Sequence, residues 1–193
     1  MSSLSILKQY LKESTFFSDD DFTYRLQDWE NGDTGILYIT GLSGSGKTTL
    51  GDEYRKKYNC QLFRTDTIIM EVIKKYEKKY NKKFHELNNI TSKIMHDEIV
   101  SKISKIVVKI KEKTIVEGVH VMYLDYDILK KESLIIKGTS YWTSYFRGMN
   151  RDLVRHFSRD GLSKTLEHYY AILFANYDIN EKSKDLKKYL EKQ

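Results

Sequence analysis

The chain has 193 residues, a formal net charge of +6, one cysteine and no proline. A single cysteine excludes an internal disulfide, and the apolar runs are too short to cross a membrane, so we expect a cytoplasmic protein without a membrane partner. The length suits one domain with a sizeable core, and the positive charge favours anionic partners such as phosphorylated small molecules or nucleic acid.

The segment before residue 36 is predicted to form an N-terminal helical extension. Leu4, Leu7 and Leu11 share one face of a helix, and the turn-rich sequence Asn-Gly-Asp-Thr-Gly over residues 31–35 ends the segment. We expect this extension, residues 1–35, to pack on the edge of a sheet. A larger domain is expected to occupy residues 36–193.

A glycine-rich loop follows the first predicted strand. Residues 36–40 are apolar and β-prone, residues 41–49 have the sequence GLSGSGKTT, and residues 50–58 are rich in helix formers. The loop fits the pattern G-x-x-x-x-G-K-[ST], and strand, loop and helix follow in the order that this pattern requires. A Gly/Ser-rich surface linker is the alternative, but a linker does not lie between a buried strand and a helix.

This loop is typical of a phosphate-binding site. Its glycines let backbone N–H groups point inward round a triphosphate, and the N-terminus of the next helix adds positive potential. We expect Lys47 to add a mobile, solvent-facing charge and Thr48 to place its hydroxyl on Mg²⁺. The candidate ligands of a nucleoside triphosphate, either ATP or GTP, are Gly41, Ser43, Gly44, Ser45, Gly46, Lys47, Thr48 and Thr49.

Three further short strands are predicted at residues 60–63, 114–116 and 133–137, with helical spacing of apolar residues between them. This alternation predicts an α/β fold with a mainly parallel sheet of four to five strands, helices on both faces and a helical C-terminal part. Ligands of such sheets lie beyond the carboxyl ends of the strands. We therefore expect the loop, Asp66, Glu117 and residues 139–140 to meet at one edge.

Two carboxylates follow predicted strands at this edge. Asp66 could accept the proton of an attacking hydroxyl or orient it, and its alternative role is an N-cap of the next helix. Glu117 could hold a Mg²⁺-bound water or contact the acceptor, and the alternative is a carboxylate that faces plain solvent. For Asp66 both roles stay open, whereas for Glu117 we favour the functional role.

Four arginines beyond the fourth strand are spaced by four residues and would form a ribbon on one helix. Arginine forks match phosphate oxygens, and phosphoryl-transfer enzymes close such groups over the substrate. The alternative is a solvated basic face paired with Asp152 and Asp160, which we favour for Arg159. The candidate lid residues are Arg147, Arg151 and Arg155.

Together these motifs resemble the P-loop small-molecule and nucleotide kinases, which include adenylylsulfate kinase, gluconate kinase, the polynucleotide 5′-kinase domain and zeta-toxin-like kinases. The resemblance covers about residues 36–160. It implies that Lys47 and Thr48 bind the triphosphate and Mg²⁺, that Asp66 is the acceptor-side carboxylate and that an arginine of residues 147–155 belongs to a lid. Two features depart from the family: a fifth strand after the lid is not evident, and Glu117 stands where an aspartate is common.

We therefore expect an ATP-dependent kinase that transfers the γ-phosphoryl group to a hydroxyl or phosphate of a small metabolite or nucleotide. The basic charge keeps a polynucleotide 5′-hydroxyl acceptor open. A nucleotide-binding regulatory NTPase that transfers phosphate only to water is the alternative from another class. The acceptor and the oligomeric state are not assigned by the sequence.

Overall fold

A computed structural model describes residues 20–42, 44–84, 87, 89–139, 179 and 181–192. The strands are β1 (Phe22–Tyr24), β2 (Ile36–Gly41), β3 (Gln61–Arg64), β4 (Thr114–Glu117) and β5 (Ser133–Lys137). The helices are α1 (Leu26–Asn31), α2 (Lys47–Tyr58), α3 (Thr65–Tyr80), α4 (Asn89–Val107), α5 (Tyr126–Leu129) and α6 (181–190), with a 3-10 helix at Val119–Tyr123.

The strands form one five-stranded sheet in the order β1-β5-β2-β4-β3. β2 lies in the middle and pairs in parallel with both β4 and β5, while β3 pairs in parallel with β4. β1 is antiparallel to β5 at the edge. The predicted mainly parallel sheet of four to five strands is confirmed, and the parallel strands bring their carboxyl ends to one edge.

Helices cover both faces of the sheet, as predicted. Alternate residues of β2 point to opposite faces, so Leu37 and Ile39 pack against Trp29 of α1 and the apolar side chains of α2. Ile36 and Tyr38 belong to a larger cluster on the other face, formed with α3, α4 and α6. Each of these β2 side chains is at most 5% exposed, which explains why the strand has an unbroken apolar sequence.

Several predicted boundaries differ from those in the structure. The second predicted strand is shifted by one residue, to Gln61–Arg64, and α3 begins at the next residue, Thr65, without a loop. The polar sequence of residues 78–89 predicts a loop, but the loop in the structure is shorter, because α3 continues to Tyr80 and α4 begins at Asn89. The spacing of apolar residues does not indicate the last turn of a helix when the side chains of that turn are polar and exposed.

Part of the segment predicted as a helical extension adds a strand to the sheet. In β1, Phe22, Thr23 and Tyr24 align with Ile136, Ile135 and Leu134 of β5. A strand of three residues is too short to give an alternating pattern, so the sequence did not indicate it. The division at residue 36 stays a prediction, and the expected helical face of Leu4, Leu7 and Leu11 lies outside the described residues.

Leu186, Tyr189 and Leu190 recur at helical spacing, which predicts a last helix, and α6 lies there in the structure. Leu186 and Leu190 are buried in the larger core cluster, and the Tyr189 hydroxyl donates a hydrogen bond to Asp127 of α5. The chain beyond β5 therefore returns to the same sheet face as α3 and α4. Within the described part of the chain, no helix is both long enough and apolar enough to span a membrane.

Through Trp29, the segment before residue 36 contributes to the hydrophobic core. Truncation of this side chain tests the size of that contribution. The residue is 0% exposed, its ring meets Tyr58 edge-on at 5.0 Å, and Lys113 Nζ lies 4.3 Å from its centroid. We expect Trp29→Ala to lower the free energy of unfolding by about 3–5 kcal/mol in chemical denaturation followed by circular dichroism.

A matched control is Phe84→Ala, an aromatic truncation at a residue that is 47% exposed. It should change the free energy of unfolding by no more than about 0.5 kcal/mol. Equal stability of the Trp29→Ala variant and the unaltered chain would show that α1 does not contribute to the core.

Candidate functional site

The glycine-rich loop joins β2 to α2 at the carboxyl edge of the sheet. Its first glycine, Gly41, has φ 142°, and a Cβ there would lie only 2.7 Å from the backbone oxygen of Lys137. Gly46, just before α2, has φ 90°. Both positions favour glycine, the first also because β5 approaches so closely. Ser43, another predicted ligand residue, lies outside the described residues.

Lys47 is buried, which corrects the expectation that it faces solvent. The residue is 8% exposed, and its Nζ donates a hydrogen bond to the backbone oxygen of Leu42 at 2.7 Å. The loop curls over the first turn of α2, so the carbonyl at its start meets the ammonium at its end. The charge of Lys47 is thereby held inside the loop curve, where phosphates would lie.

Ser45 adds a second polar group to the loop interior. The residue is 4% exposed, and among the described residues its hydroxyl oxygen has no hydrogen-bond partner. A buried hydroxyl without a partner is unfavourable unless a ligand supplies one. Together with Lys47 it fits an anionic oxygen-rich ligand. Thr49 is exposed in the first turn of α2.

Glu117, the last residue of β4, is joined to the loop through Thr48. The Thr48 hydroxyl donates to Glu117 Oε1 at 3.3 Å, and Glu117 is only 5% exposed. Burial raises the pKa of its carboxyl above the usual value; the positive charge of Lys47 opposes this rise and the negative charge of Asp66 adds to it. The alternative of a carboxylate facing plain solvent is therefore wrong.

Arg64 is a site residue that the sequence analysis missed. Its Nη2 donates to both carboxylate oxygens of Asp52 at 2.8 Å, and its Nε lies 3.8 Å from Glu117 Oε2. The guanidinium thus links the end of β3, helix α2 and the end of β4. An arginine at a predicted strand end was the available signal, but its partners on α2 and β4 depend on the tertiary fold.

Asp66 lies in the first turn of α3, directly after the end of β3, and is exposed. Its charge is close enough to raise the pKa of Glu117. The N-cap position belongs to Arg64, and no side chain forms a cap hydrogen bond there. The alternative role of Asp66 as the N-cap is therefore wrong, although an acidic residue in the first turn still favours the helix.

The oxygens of Thr48 and Glu117 fit a magnesium ion chemically. Mg²⁺ prefers hard oxygen ligands and is usually bound by one or two protein groups together with phosphates and water. In the part of the chain that the structure describes, no group of three or more His, Cys, Asp or Glu side chains could hold a metal alone. A magnesium ion here would share the Thr48 hydroxyl and the Glu117 carboxylate with a phosphate ligand.

The structure thus brings together the loop, Asp66 and Glu117, as expected, and Thr139 is buried just beyond β5. The candidate lid residues Arg147, Arg151 and Arg155 lie outside the described residues, as does Ser140. Their role stays a prediction.

Gly118, which follows β4 at the carboxyl edge of the sheet, packs closely against α3. A substitution at this glycine tests the close contact. Gly118 has φ 149°, and a Cβ there would lie 1.8 Å from Thr65 Oγ1. Since Thr65 is fully buried, the clash must displace the backbone next to Glu117 and Asp66. We expect Gly118→Ala to lower the free energy of unfolding by about 2–4 kcal/mol.

Gly32→Ala is the matched control, because Gly32 also has a positive φ, 92°, but nothing lies within 4 Å of the added Cβ. It should cost only about 1 kcal/mol. Thr65→Ala combined with Gly118→Ala should recover part of the loss, since the clashing hydroxyl is removed. Equal losses for Gly32→Ala and Gly118→Ala in thermal and chemical denaturation would contradict the close contact.

Replacing the buried carboxylate of Glu117 by a neutral amide should raise the stability of the chain by an amount that depends on pH. Because the pKa of the Glu117 carboxyl is raised in the folded chain, its contribution to stability is full below the unfolded pKa and is lost as the pH rises through the folded pKa. We expect Glu117→Gln to melt at a higher temperature than the unaltered chain at neutral pH, with the difference shrinking towards about pH 4 in nucleotide-free buffer. Glu53→Gln, at an exposed position of α2, should show no such trend. A difference that is independent of pH would contradict the effect of burial.

A comparison with protein families finds a match for part of the chain. The sequence model of a family described as AAA domain matches residues 40–134, just under half of the chain. Searches of curated proteins and of solved structures gave no match. The matched residues run from the end of β2 to the start of β5 and include Lys47, Asp66 and Glu117. The fold, the loop and the family match together support a P-loop nucleotide-binding domain.

Proposed function

We propose that the chain is a Mg²⁺-dependent kinase that transfers the γ-phosphoryl group of ATP to a hydroxyl or phosphate of a small metabolite or nucleotide. The observation that carries this proposal is the convergence of three strand ends. The loop after β2 presents Lys47 and Thr48, β4 ends at the buried Glu117, and Asp66 follows β3 in the first turn of α3.

The nucleotide side of the proposed reaction uses the loop. Its backbone N–H groups and the Lys47 ammonium bind the β- and γ-phosphates, and the Ser45 hydroxyl can donate to one of their oxygens. Thr48 and Glu117 would hold Mg²⁺, which neutralises charge on the phosphate oxygens when bound. Arg64 keeps Glu117 in place from the other side, since its Nε lies 3.8 Å from the carboxylate.

The acceptor side uses Asp66. It is exposed, its charge acts on Glu117, and it does not cap a helix. As the acceptor oxygen forms a bond to the γ-phosphorus, the bond to the β-bridging oxygen breaks and ADP leaves; the carboxylate of Asp66 takes the acceptor proton. Arg147, Arg151 and Arg155 belong to this proposal as a lid that meets charge on the transferring group.

The test is incubation of the chain with γ-labelled ATP or GTP and pooled acceptors: nucleosides, nucleotides, sugars, adenylylsulfate and 5′-hydroxyl oligonucleotides. The proposal expects label in a small acceptor, and a Lys47→Ala variant that transfers none. Label only in an oligonucleotide would assign the polynucleotide reaction instead. Label only in inorganic phosphate would contradict a kinase and favour a regulatory NTPase.

Asp66 allows the acceptor role to be separated from nucleotide binding. We expect Asp66→Asn to lower the rate of transfer by about 10²- to 10⁴-fold, the range for a positioned proton acceptor, because the amide cannot take the proton. ATP affinity by calorimetry and the melting temperature should stay close to those of the unaltered chain, since Asp66 neither lines the loop nor caps α3.

Glu71→Gln on the same helix is the control, because Glu71 pairs with Lys102 of α4. Its transfer rate should equal that of the unaltered chain. Full activity of Asp66→Asn would remove Asp66 from the mechanism.

A further inference from the structure

Lys137, the last residue of β5, lies directly beside the phosphate-binding loop. The parallel pairing of β2 with β5 aligns it with Gly41, the first glycine of the loop. Its Cε lies 3.9 Å from the position that a Cβ at Gly46 would occupy, so the side chain extends from the start of the loop towards its end. The sequence predicts only that this lysine ends a strand.

The ammonium of Lys137 is paired with Asp21. Nζ lies 2.7 Å from Asp21 Oδ2, and the backbone N–H of Gly138 donates to Asp21 Oδ1 at 2.8 Å. Asp21 reaches this edge because it immediately precedes β1, which runs antiparallel to the other strands. The edge strand thereby places a carboxylate next to a lysine of the loop region.

We propose that Lys137 is a second phosphate-binding cation of the site, which exchanges Asp21 for the polyphosphate of the bound nucleotide. This inference rests on the proposed nucleotide binding at the loop. The lysine side chains on the two sides of the loop, Lys47 from α2 and Lys137 from β5, then bind the same polyphosphate.

The exchange is physically favourable for two reasons. The ion pair is partly exposed, with 28% of the Lys137 and 33% of the Asp21 side chain accessible, and such pairs contribute little to stability. A polyphosphate carries several negative charges against the single charge of Asp21, and a lysine can turn its ammonium on a flexible stem. Asp21 keeps its hydrogen bond to the Gly138 N–H, so β1 stays attached to β5 when Lys137 turns away.

Binding of ATP and of inorganic tripolyphosphate to Lys137→Met, measured by calorimetry with Mg²⁺, tests the inference. We expect both ligands to bind about tenfold or more weakly than to the unaltered chain, as for loss of a charged hydrogen bond. Lys130→Met, which removes a lysine paired with Asp127 on α5, should leave both affinities unchanged.

A second variant separates phosphate binding from attachment of β1. Asp21→Asn breaks the same ion pair but keeps Lys137, so the inference expects ATP to bind as tightly as before or more tightly. If Asp21→Asn weakened ATP binding as much as Lys137→Met, the lysine would act only by fastening the edge strand, and the inference would be overturned.

The remaining outcomes are also decisive. Weaker binding of ATP with unchanged binding of tripolyphosphate would place Lys137 on the base or ribose and overturn a phosphate role. Unchanged binding of both ligands to Lys137→Met would overturn the inference while leaving the proposed function intact. Absence of ATP binding to the unaltered chain would overturn the proposed function and the inference with it.

Discussion

The parallel pairing of β2 with a strand on each side is the constraint on which the site depends. β2 is buried on both faces, and its register places Glu117 beside Ile39 and Lys137 beside Gly41. A shift of either neighbour by one residue would turn its side chains to the opposite face of the sheet. The apolar packing of the central strand therefore determines which charged groups surround the loop.

The electrostatics of this edge oppose the stability of the chain. A buried carboxylate at Glu117 is unfavourable, as its raised pKa indicates, and it is tolerated because Lys47, the Thr48 hydroxyl and Arg64 lie close. Arg64 is itself held by Asp52 on the helix that follows the loop. The chain thus maintains a buried negative charge, which a magnesium ion bound at Glu117 would offset.

The sequence predicted those parts of the site that depend on local pattern. The loop is contiguous and has a specific spacing, and Asp66 and Glu117 follow apolar runs whose carboxyl ends must converge in a parallel sheet. For the same reason, the predicted bounds of the four strands β2 to β5 lie within about one residue of the observed bounds.

The parts that sequence reasoning missed depend on contacts between distant segments. The partner of Lys137 is Asp21, which lies 116 residues earlier. The burial of Trp29 depends on α2 and on strands that follow it in the chain. The burial of Lys47 is a different case, since its Nζ donates a hydrogen bond to the Leu42 backbone oxygen within the same loop.

In the proposed reaction the γ-phosphoryl group goes to an acceptor and not to water. The most direct measurement is mass spectrometry of the products formed from Mg²⁺ and ATP in ¹⁸O-labelled water with the pooled acceptors. Water enters only hydrolysis, so we expect a phosphorylated acceptor without ¹⁸O and little labelled inorganic phosphate. Labelled inorganic phosphate as the sole phosphoryl product would contradict it.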